Sequence, residues 1–599
     1  MEGYIPVLRK LNDFLIETYE KHYSRVNKPL ITIYEAPTGY GKSSVFPFIA
    51  YKIRSSGVFY GYIHVLPMRS IIRSLYTDLL EGNKYPFNMI EDVKNNVGYQ
   101  ASGMTLSGKD PFYTKLYNIT TIDSFMLNML KLSIGEPNTY YKHYEASRSM
   151  IFTSMITLDE AHLYGGDPGA PEEKLYTSFT SLVGVLPYLN TPISIISATI
   201  PISLGNAIYR TILAYTRSKN GVALWIKYGD KIRVNGKVIG EAVDREFDQR
   251  VESTRWKTEI LSIRFNKLAK EINDKAETGR KILVITNKPV RAVNIYEHLA
   301  SMDLDPVLVH GRLKYSERES MEKRIREANV VVATQVVEAG IDVSFDTIYT
   351  DPAPPTSLIQ RIGRINRELR DNITGQVFII NDGEDSYKNI YDPEIVVNTL
   401  KLIKEYGDNI NWRLPRGRDS SDIIGYYDLI EKIYQGLTPV IDTGLLHALK
   451  EIILSARIGW SQTRELMYKS CMKNTGIIRN SVLIPVFPVD ITDQHLVNDI
   501  TIEELFVEAV PVSLAWLIIR ANTLLSRKSF ILYIVFDDNG EPYPRFETAP
   551  RDPAELKKII CGSLCGYRVH RNLSRGNGFF SGIVVEPRLY KPWKGLLVD

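Results

Sequence analysis

The sequence contains few cysteines, and their spacing excludes the common structural zinc sites. Only three occur in 599 residues, namely Cys471, Cys561 and Cys565. Such zinc sites usually draw four thiolate or imidazole ligands from two CxxC units, and the chain has no such pair of units. We therefore predict reduced intracellular thiols, with Cys561 and Cys565 buried one helical turn apart.

Long apolar segments and a large net charge are also missing. No apolar run reaches the roughly 18 residues of a membrane-spanning helix, and the stretch from Met1 to Lys10 lacks the features of a signal peptide. These absences predict a cytoplasmic protein with no membrane partner. The formal charge is only +4, so a nucleic-acid partner requires a local basic groove instead of a field over the whole surface.

The length and the pattern of elements predict several folded domains. With 44% hydrophobic and 24% charged residues the composition is typical of a globular protein, and a domain size of about 150 residues implies three or four domains. Strands alternate with helices in two stretches, which indicates parallel sheets covered on both faces. The predicted segments are an α/β domain over 1–217, an inter-domain insert with an Asn235-Gly236 hairpin over 218–255, a second α/β domain over 256–390, and a mixed, helix-rich region over 391–599.

A glycine-rich loop follows the first predicted strand and opens a helical run. Residues Ala36 to Ser43 read A-P-T-G-Y-G-K-S, which is a Walker A pattern with alanine in place of the first glycine. The pattern predicts that backbone N–H groups and the lysine bind the phosphates of ATP and that the serine hydroxyl binds Mg²⁺. The alternative, a turn without function, does not account for the flanking strand and helix. The predicted nucleotide contacts are Pro37, Thr38, Gly39, Gly41, Lys42, Ser43 and Ser44.

Two acidic residues end another apolar strand. Asp159 and Glu160 follow Met155 to Leu158, which places both carboxylates at the carboxyl edge of a parallel sheet, where α/β proteins bind ligands. Asp159 suits a Mg²⁺ ligand, and Glu160 suits the residue that orients and deprotonates the attacking water. A strand that ends in two acids is common by itself, so the interpretation depends on the preceding phosphate loop.

Three further residues are predicted to transmit the state of the nucleotide. His162 lies two residues beyond the acidic pair, and Ser197 and Thr199 close the apolar strand that begins near Ile193. Their side chains can form hydrogen bonds between neighbouring loops at the same sheet edge. We predict that they couple the ATP site to the nucleic acid.

An arginine-rich segment lies near the end of the second α/β stretch. Gln360 to Arg367 follows Val332 to Asp342, and this ordered pair of motifs resembles the last two motifs of superfamily 2 helicases. The resemblance implies two tandem RecA-like domains with the ATP site between them. It also implies roles for single residues, namely arginine fingers for Arg364 and Arg367, a sensor for Gln360, a link to the acidic loop for Arg361, and a ribose contact for Asp342.

The residues of these and other motifs resemble one family more closely, the helicase of type I CRISPR interference. The matching segments are Glu35 to Gly39, Thr120 to Ser124, Thr286 to Lys288 with Arg291 and Ala292, Thr334 to Val343, and Pro354 to Arg364. They span roughly residues 30–385. The resemblance implies a Mg²⁺- and ATP-dependent motor that moves 3′ to 5′ on single-stranded DNA after recruitment by an RNA-guided surveillance complex.

One departure from that family concerns its metal-dependent HD nuclease. None of the nine histidines is followed by aspartate, and only His22 precedes the phosphate loop. The resemblance therefore implies a stand-alone helicase subunit whose HD nuclease is a separate polypeptide. It also implies nucleic-acid contacts at Arg69, Thr121, Thr286, Asn287 and Thr334, mainly to phosphate and sugar. The basic clusters Arg413 to Arg418 and His570 to Arg575 either extend this groove or lie in solvated loops.

Two other functions stay open at this level. The first is a DNA-repair or RNA helicase with the same core, although no glutamine-centred adenine motif of the DEAD-box type precedes the phosphate loop. The second is an adaptor that binds nucleic acid without hydrolysing ATP. The intact catalytic set argues against the adaptor, namely Lys42, Asp159, Glu160, Arg364 and Arg367.

Overall fold

A computed structural model provides the structure of the chain. It describes residues 9–25, 28–80, 92–101, 107–132, 144–165, 173–219, 221–263, 265–302, 304–338, 343–366, 374–417, 422–455, 460–491, 501–536, 541–564 and 579–596. Two sheets built mainly from parallel strands and one mixed sheet dominate these ranges. None of the described helices is long and apolar enough to cross a lipid bilayer.

The first sheet has nine strands. They are β1 (Leu30–Glu35), β2 (Gly61–Leu66), β3 (Val97–Gln100), β4 (Tyr117–Thr121), β5 (Ser154–Leu158), β6 (Ile193–Ser197), β7 (Val222–Lys227), β8 (Lys231–Val234) and β9 (Lys237–Glu241). Their spatial order is β3-β4-β2-β5-β6-β1-β7-β8-β9, and the pairs from β3 to β7 are parallel. The accompanying helices are α1 (Lys10–Tyr23), α2 (Lys42–Ile53), α3 (Arg69–Leu80), α4 (Val93–Asn96), α5 (Ile122–Met129), α6 (Tyr144–Phe152), α7 (His162–Gly165), α8 (Glu173–Tyr188), α9 (Ile202–Lys219) and α10 (Arg245–Glu252).

Strand β1 shows why this sheet is covered on both faces. All six of its residues are buried. Successive side chains of a strand point to opposite faces, and Leu30 and Tyr34 accordingly join one buried cluster while Ile31 and Ile33 join another. The strand therefore lies at the centre of a helix–sheet–helix sandwich, and its carboxyl end carries the phosphate loop.

The predicted hairpin is present, but it is not a separate insert. Asn235 and Gly236 have φ values of 49° and 86°, and they join the antiparallel strands β8 and β9. Strand β7 pairs with β1 on one side and with β8 on the other, so the hairpin extends the first sheet. Trp225 on β7 is buried and donates a hydrogen bond to Glu35, which fixes this extension to the core.

The second sheet has six strands, and every described pair is parallel. They are β10 (Arg255–Leu261), β11 (Ile282–Ile285), β12 (Val307–Val309), β13 (Val330–Ala333), β14 (Thr347–Thr350) and β15 (Thr374–Ile380). The spatial order is β10-β15-β14-β11-β13-β12. The helices of this unit are α11 (Phe265–Glu277), α12 (Pro289–Ala300), α13 (Tyr315–Arg324) and α14 (Pro355–Ile362). The predicted α/β class with two parallel sheets is confirmed.

The C-terminal third combines helices with a smaller sheet. Its helices are α15 (Pro393–Tyr406), α16 (Tyr426–Tyr434), α17 (Thr443–Leu454), α18 (Trp460–Cys471), α19 (Ile502–Val507), α20 (Leu514–Ile519), α21 (Ala521–Leu524) and α22 (Pro553–Leu564). Its strands are β16 (Ile410–Asn411), β17 (Ile424–Gly425), β18 (Leu483–Pro488), β19 (Val510–Ser513), β20 (Phe530–Phe536), β21 (Pro542–Thr548), β22 (Phe579–Val585), β23 (Tyr590–Lys591) and β24 (Gly595–Leu596). Short 3₁₀ helices lie in the described ranges at Arg54–Ser56, Gln335–Val337, Glu384–Ser386, Gly407–Asn409 and Pro587–Leu589.

This third of the chain packs against both parallel sheets. Ile395 of α15 and Tyr427 of α16 belong to a buried cluster of the second sheet. Leu449 and Ile453 of α17 instead join a buried cluster of the first sheet. The five-stranded sheet β19-β18-β22-β20-β21 has a core of its own. The chain thus returns from the second domain to the first before it forms its last unit.

The prediction of reduced cysteines is wrong for one pair. Cys471 at the end of α18 and Cys561 on α22 form a disulfide, with Cα atoms 5.6 Å apart. Ninety positions separate them in the sequence, so their spacing gives no sign of the contact. Cys565 lies outside the described residues.

Candidate active site

The phosphate loop has the geometry that its glycines predict. It joins β1 to α2, and Gly39 and Gly41 adopt φ values of 80° and 90°, in the left-handed region that favours glycine. A Cβ atom on Gly41 would lie 3.2 Å from Nδ2 of Asn12, so space also restricts this position. The N-terminus of the twelve-residue helix α2 has no side-chain cap and is therefore suited to a phosphate oxygen. The Nζ of Lys42 donates to the carbonyl of Pro37 at 2.9 Å.

The serine of the loop meets the first acidic residue. Ser43 Oγ donates to Asp159 Oδ2 at 2.8 Å, and His64 Nε2 lies 3.0 Å from the same oxygen. Burial raises the pKa of Asp159, but the hydrogen bonds from His64 and Ser43 outweigh it and hold the pKa below its usual value. A hydroxyl beside an ionised carboxylate is a ligand set that Mg²⁺ prefers. Sequence reasoning missed His64, which lies on β2 beside β5.

Glu160 lies at the boundary between the two parallel sheets. It has a φ of 51°, an uncommon conformation for a residue with a side chain. Burial, followed by the negative charge of Asp159, raises the pKa of Glu160 to about 7, while Lys42 and Arg364 act in the opposite direction. Gly363, directly before Arg364, approaches the phosphate loop, because a Cβ atom on it would lie 3.7 Å from Thr38 Oγ1. The arginine segment of the second domain therefore lies next to the phosphate loop of the first.

The three residues predicted to couple the site lie together. His162 Nδ1 is 2.8 Å from Ser197 Oγ, which also accepts a hydrogen bond from the backbone N–H of Thr199. Burial, and then the charge of Lys42, lowers the pKa of His162 to about 3, so its ring is neutral at physiological pH. Within the described part of the chain, His162 Nε2 and Thr199 Oγ1 are buried without a hydrogen-bond partner. Such unpaired atoms indicate a contact that forms in another state of the site.

The structure describes Arg364 and Gln360, the predicted finger and the predicted sensor of the arginine segment. Arg364 follows the end of α14 and donates from Nη2 to the carbonyl of Glu338 at 2.6 Å. Gln360 is buried, and its Nε2 atom has no partner among the described residues. Arg367 and Asp342 lie outside the described residues. The site fits a nucleoside triphosphate with Mg²⁺. The donors of the phosphate loop and of the arginine segment match the phosphates, and the oxygens of Ser43 and Asp159 match the metal.

Arg361 does not link to the acidic loop as predicted. Its guanidinium is fully buried in the second domain, where it donates to Glu338 Oε1 at 2.8 Å, to Thr350 Oγ1 at 2.9 Å and to Asn287 Oδ1 at 2.8 Å. The cause is local, because α14 ends at Ile362 and Arg364 therefore does not continue the helical face that carries Arg361.

Loss of this buried guanidinium is expected to destabilise the second domain strongly. Arg361→Ala breaks the buried ion pair with Glu338, a change that typically costs about 3–5 kcal/mol. Arg324→Ala is the matched control, because its ion pair with Asp305 is exposed and is worth about 0–1 kcal/mol. Urea titrations of both variants measure the difference. Equal midpoints for the two variants would contradict the structural role of Arg361.

Four of the five residues predicted to contact nucleic acid have buried side chains, namely Thr121, Thr286, Asn287 and Thr334. Thr121 Oγ1 accepts from the backbone N–H of Ser124 and caps α5. Asn287 donates from Nδ2 to the carbonyl of Pro352 and accepts from Arg361. These groups hold their own loops in this conformation, and their contacts with nucleic acid stay predictions.

The fifth residue, Arg69, contacts the second domain. Its Nη1 atom donates to the hydroxyl of Tyr315 at 2.7 Å, and Arg73 on the same helix forms an ion pair with Glu319 at 2.6 Å. Helices α3 and α13 therefore meet across the two domains.

The structure describes only the first part of the two predicted basic clusters. Arg413 is only 4% exposed, so neither a groove nor a solvated loop describes it. Arg418 and the cluster from His570 to Arg575 lie outside the described residues.

Comparisons with known proteins agree with this geometry. The model of the DEAD/DEAH box helicase domain matches residues 27–206, and that of the C-terminal region of the CRISPR-associated nuclease/helicase Cas3 matches residues 278–370. A putative CRISPR-associated nuclease/helicase Cas3 of Methanocaldococcus jannaschii is 24% identical over 58% of this chain and 43% of its own length. The CRISPR-associated helicase Cas3 of Thermoproteus tenax is 25% identical over 56% of this chain and 54% of its own length.

Solved structures share the fold at low sequence identity. The ADP-bound T. fusca Cas3 has a TM-score of 0.58 and 16% identity, with 85% of this chain and 64% of that chain covered. A chain in a pre-nicking CRISPR RNA-guided surveillance complex has a TM-score of 0.53 and 17% identity over 83% of this chain and 63% of that one. These likenesses confirm the pair of RecA-like domains. The chain spans about half the length of the curated relatives it matches. The matched domains and relatives support an ATP-dependent helicase of the DEAD/DEAH type that is similar to Cas3.

Proposed function

We propose that this chain is an ATP-driven translocase on single-stranded DNA that acts in type I CRISPR interference. The observation that carries the proposal is the cleft between the two parallel sheets. There the phosphate loop of the first domain, whose Ser43 contacts Asp159, lies next to Gly363, the residue before Arg364 in the second domain. Because groups from two domains contribute to one site, closure of the cleft and hydrolysis are linked, which is what a motor requires.

The residues of the first domain bind and activate the reactants. ATP supplies the γ-phosphoryl group, and Mg²⁺ neutralises charge on its oxygens. Lys42 exchanges its bond to the carbonyl of Pro37 for phosphate oxygens, and Ser43 with Asp159 provides the metal ligands. Glu160 orients the attacking water and accepts its proton, a role that its raised pKa favours near neutral pH.

The residues of the second domain respond to the γ-phosphate. Arg364 and Arg367 supply permanent positive charge to its oxygens, and Gln360 offers the amide donor that is now unpaired. His162, Ser197 and Thr199 then transmit the change of state along the sheet edge. A neutral His162 can accept or donate a hydrogen bond without the cost of a buried charge.

The finer parts of the function concern direction and partners. We propose 3′ to 5′ movement, recruitment by an RNA-guided surveillance complex, and cooperation with a separate HD nuclease subunit. The recruitment is supported by the similar chain in a surveillance complex. Nucleic acid then lies across both domains near Arg69, where α3 and α13 meet.

Strand displacement on short duplexes is expected to be ATP-dependent and to require a 3′ overhang. The purified chain is compared on 3′-overhang and 5′-overhang DNA, and on the equivalent RNA, with and without the surveillance complex and a candidate nuclease subunit. Faster unwinding of 5′ overhangs contradicts the direction, and activity on RNA alone indicates an RNA helicase. Nucleic-acid binding without stimulated ATP hydrolysis indicates an adaptor and sinks the proposal.

A further inference from the structure

A buried arginine from the C-terminal third lies in the cleft between the two motor domains. Arg413 follows the short strand β16 and is only 4% exposed. Asn411 fixes the turn, because its Oδ1 atom accepts from the backbone N–H groups of Arg413 and Leu414 and from the indole of Trp256. The backbone of Arg413 is therefore anchored to β10 of the second domain.

The side chain of Arg413 reaches both sides of the cleft. Its Nη2 atom donates to the carbonyl of Gly363 at 3.1 Å and to that of Ile365 at 3.0 Å, which are the residues directly before and after Arg364. Its Nη1 atom donates to Thr38 Oγ1 at 3.4 Å, in the phosphate loop of the first domain. One guanidinium thus connects the phosphate loop with the backbone that carries the predicted finger.

We propose that Arg413 is a positioning residue for ATP hydrolysis, which holds Arg364 against the phosphate loop when the cleft is closed. The inference rests on the proposed ATPase function. Arg361 provides the contrast, because all of its described hydrogen bonds stay inside the second domain. A planar guanidinium with several donors in fixed directions can hold two carbonyls and a hydroxyl at once, whereas an ammonium group cannot reproduce that geometry.

The approach of the two domains at this point is close. A Cβ atom on Gly363 would lie 3.7 Å from Thr38 Oγ1, at ordinary van der Waals contact. An opening of the cleft that moves Thr38 away from the second domain would break the bond from Arg413 to Thr38. The bonds to Gly363 and Ile365 move with the second domain and are kept. Arg413 thus distinguishes the closed cleft from the open one.

Arg413→Ala is expected to lower kcat for ATP hydrolysis by about 10- to 100-fold, the size of effect that a small misplacement of a catalytic group produces. The affinity for a non-hydrolysable ATP analogue should fall, and the affinity for ADP should stay unchanged, because Arg364 acts on the γ-phosphate. Arg413→Lys should restore only part of kcat. Fluorescence titration with labelled ADP and with the labelled analogue provides a readout that does not depend on turnover.

A double-mutant cycle separates positioning from general folding. If Arg413 acts through Arg364, then Arg413→Ala has little further effect on kcat or on analogue affinity in an Arg364→Ala background. If the effects of the two substitutions on kcat and on analogue affinity are fully additive, the proposal is overturned. Loss of ADP affinity together with a lower melting temperature would also overturn it, since that result describes a purely structural residue.

Arg416→Ala serves as the matched control from the same segment. Arg416 binds Glu431 at 2.7 Å and Asp428 at 3.3 Å, and these partners belong to neither the phosphate loop nor the finger segment. We expect it to keep the kcat and analogue affinity of the wild type. If the wild type itself does not hydrolyse ATP with single-stranded DNA, the proposed function fails. If the wild type hydrolyses ATP and the Arg413→Ala variant has the same kcat and the same analogue affinity, only the proposed role of Arg413 fails.

Discussion

Replacing Glu160 with glutamine is expected to abolish ATP hydrolysis while nucleotide binding persists. Glutamine keeps the size and one oxygen of the side chain but cannot accept a proton from water, and loss of a general base typically costs about 10²- to 10⁴-fold in rate. Lys42→Ala should remove turnover and also weaken binding, because the ammonium group binds the phosphates directly. Phosphate release with saturating single-stranded DNA and titration with a fluorescent nucleotide measure the two effects.

The control for this pair is an exposed glutamate of the same domain. Glu17 forms a surface ion pair with Lys21 and lies on α1, so Glu17→Gln should behave as the wild type does. Wild-type turnover in Glu160→Gln, or equal turnover of wild type and Lys42→Ala, would show that the cleft is not the site of hydrolysis and would favour the adaptor.

Loss of the finger at Arg364 is expected to reduce stimulated ATP hydrolysis by about 10³- to 10⁵-fold, the range found for arginine fingers in related NTPases. The reason is geometric, because Gly363, directly before Arg364 in the second domain, lies next to Thr38 of the phosphate loop in the first. Arg364→Lys should remain severely impaired, since an ammonium group lacks the planar fork. Arg367→Ala tests the second predicted finger in the same assay.

The affinities for ADP and for the ATP analogue distinguish an arginine finger from a residue that is needed for folding. Arg364→Ala should bind ADP as the wild type does and bind the ATP analogue less tightly. Arg324→Ala, which removes an exposed arginine of α13, should change neither value. A small loss of rate for Arg364→Ala, comparable to that of the control, would contradict the assignment.

The sequence alone predicted the parts of the site that depend on local chemistry. The phosphate loop required left-handed glycines between a strand and a helix, and Gly39 and Gly41 meet that requirement. The acidic pair was predictable because carboxyl ends of parallel strands share one edge. The contact between His162 and Ser197 follows from the same rule, since β5 and β6 are neighbours in the sheet.

Other parts of the site depend on contacts that no local pattern reveals. Arg413 lies 375 positions from Thr38, and only the folded path of the C-terminal third brings them together. The side chain of Arg361 points into the second domain in part because α14 ends at Ile362. The sequence does not specify where this helix ends. The Asn235-Gly236 turn predicted a hairpin correctly, but its membership in the first sheet follows from the pairing of β7 with β1.

The return of the chain from one motor domain to the other has a mechanical consequence. Helix α16 is anchored in the core of the second sheet and α17 in that of the first, and only residues 435–442 connect them. Even when fully extended, eight residues span at most about 26–29 Å. This connector therefore acts as a tether of limited length between α16 and α17. It sets an upper limit on how far the two helices can separate and, under the proposed function, on how far one round of ATP hydrolysis can open the cleft.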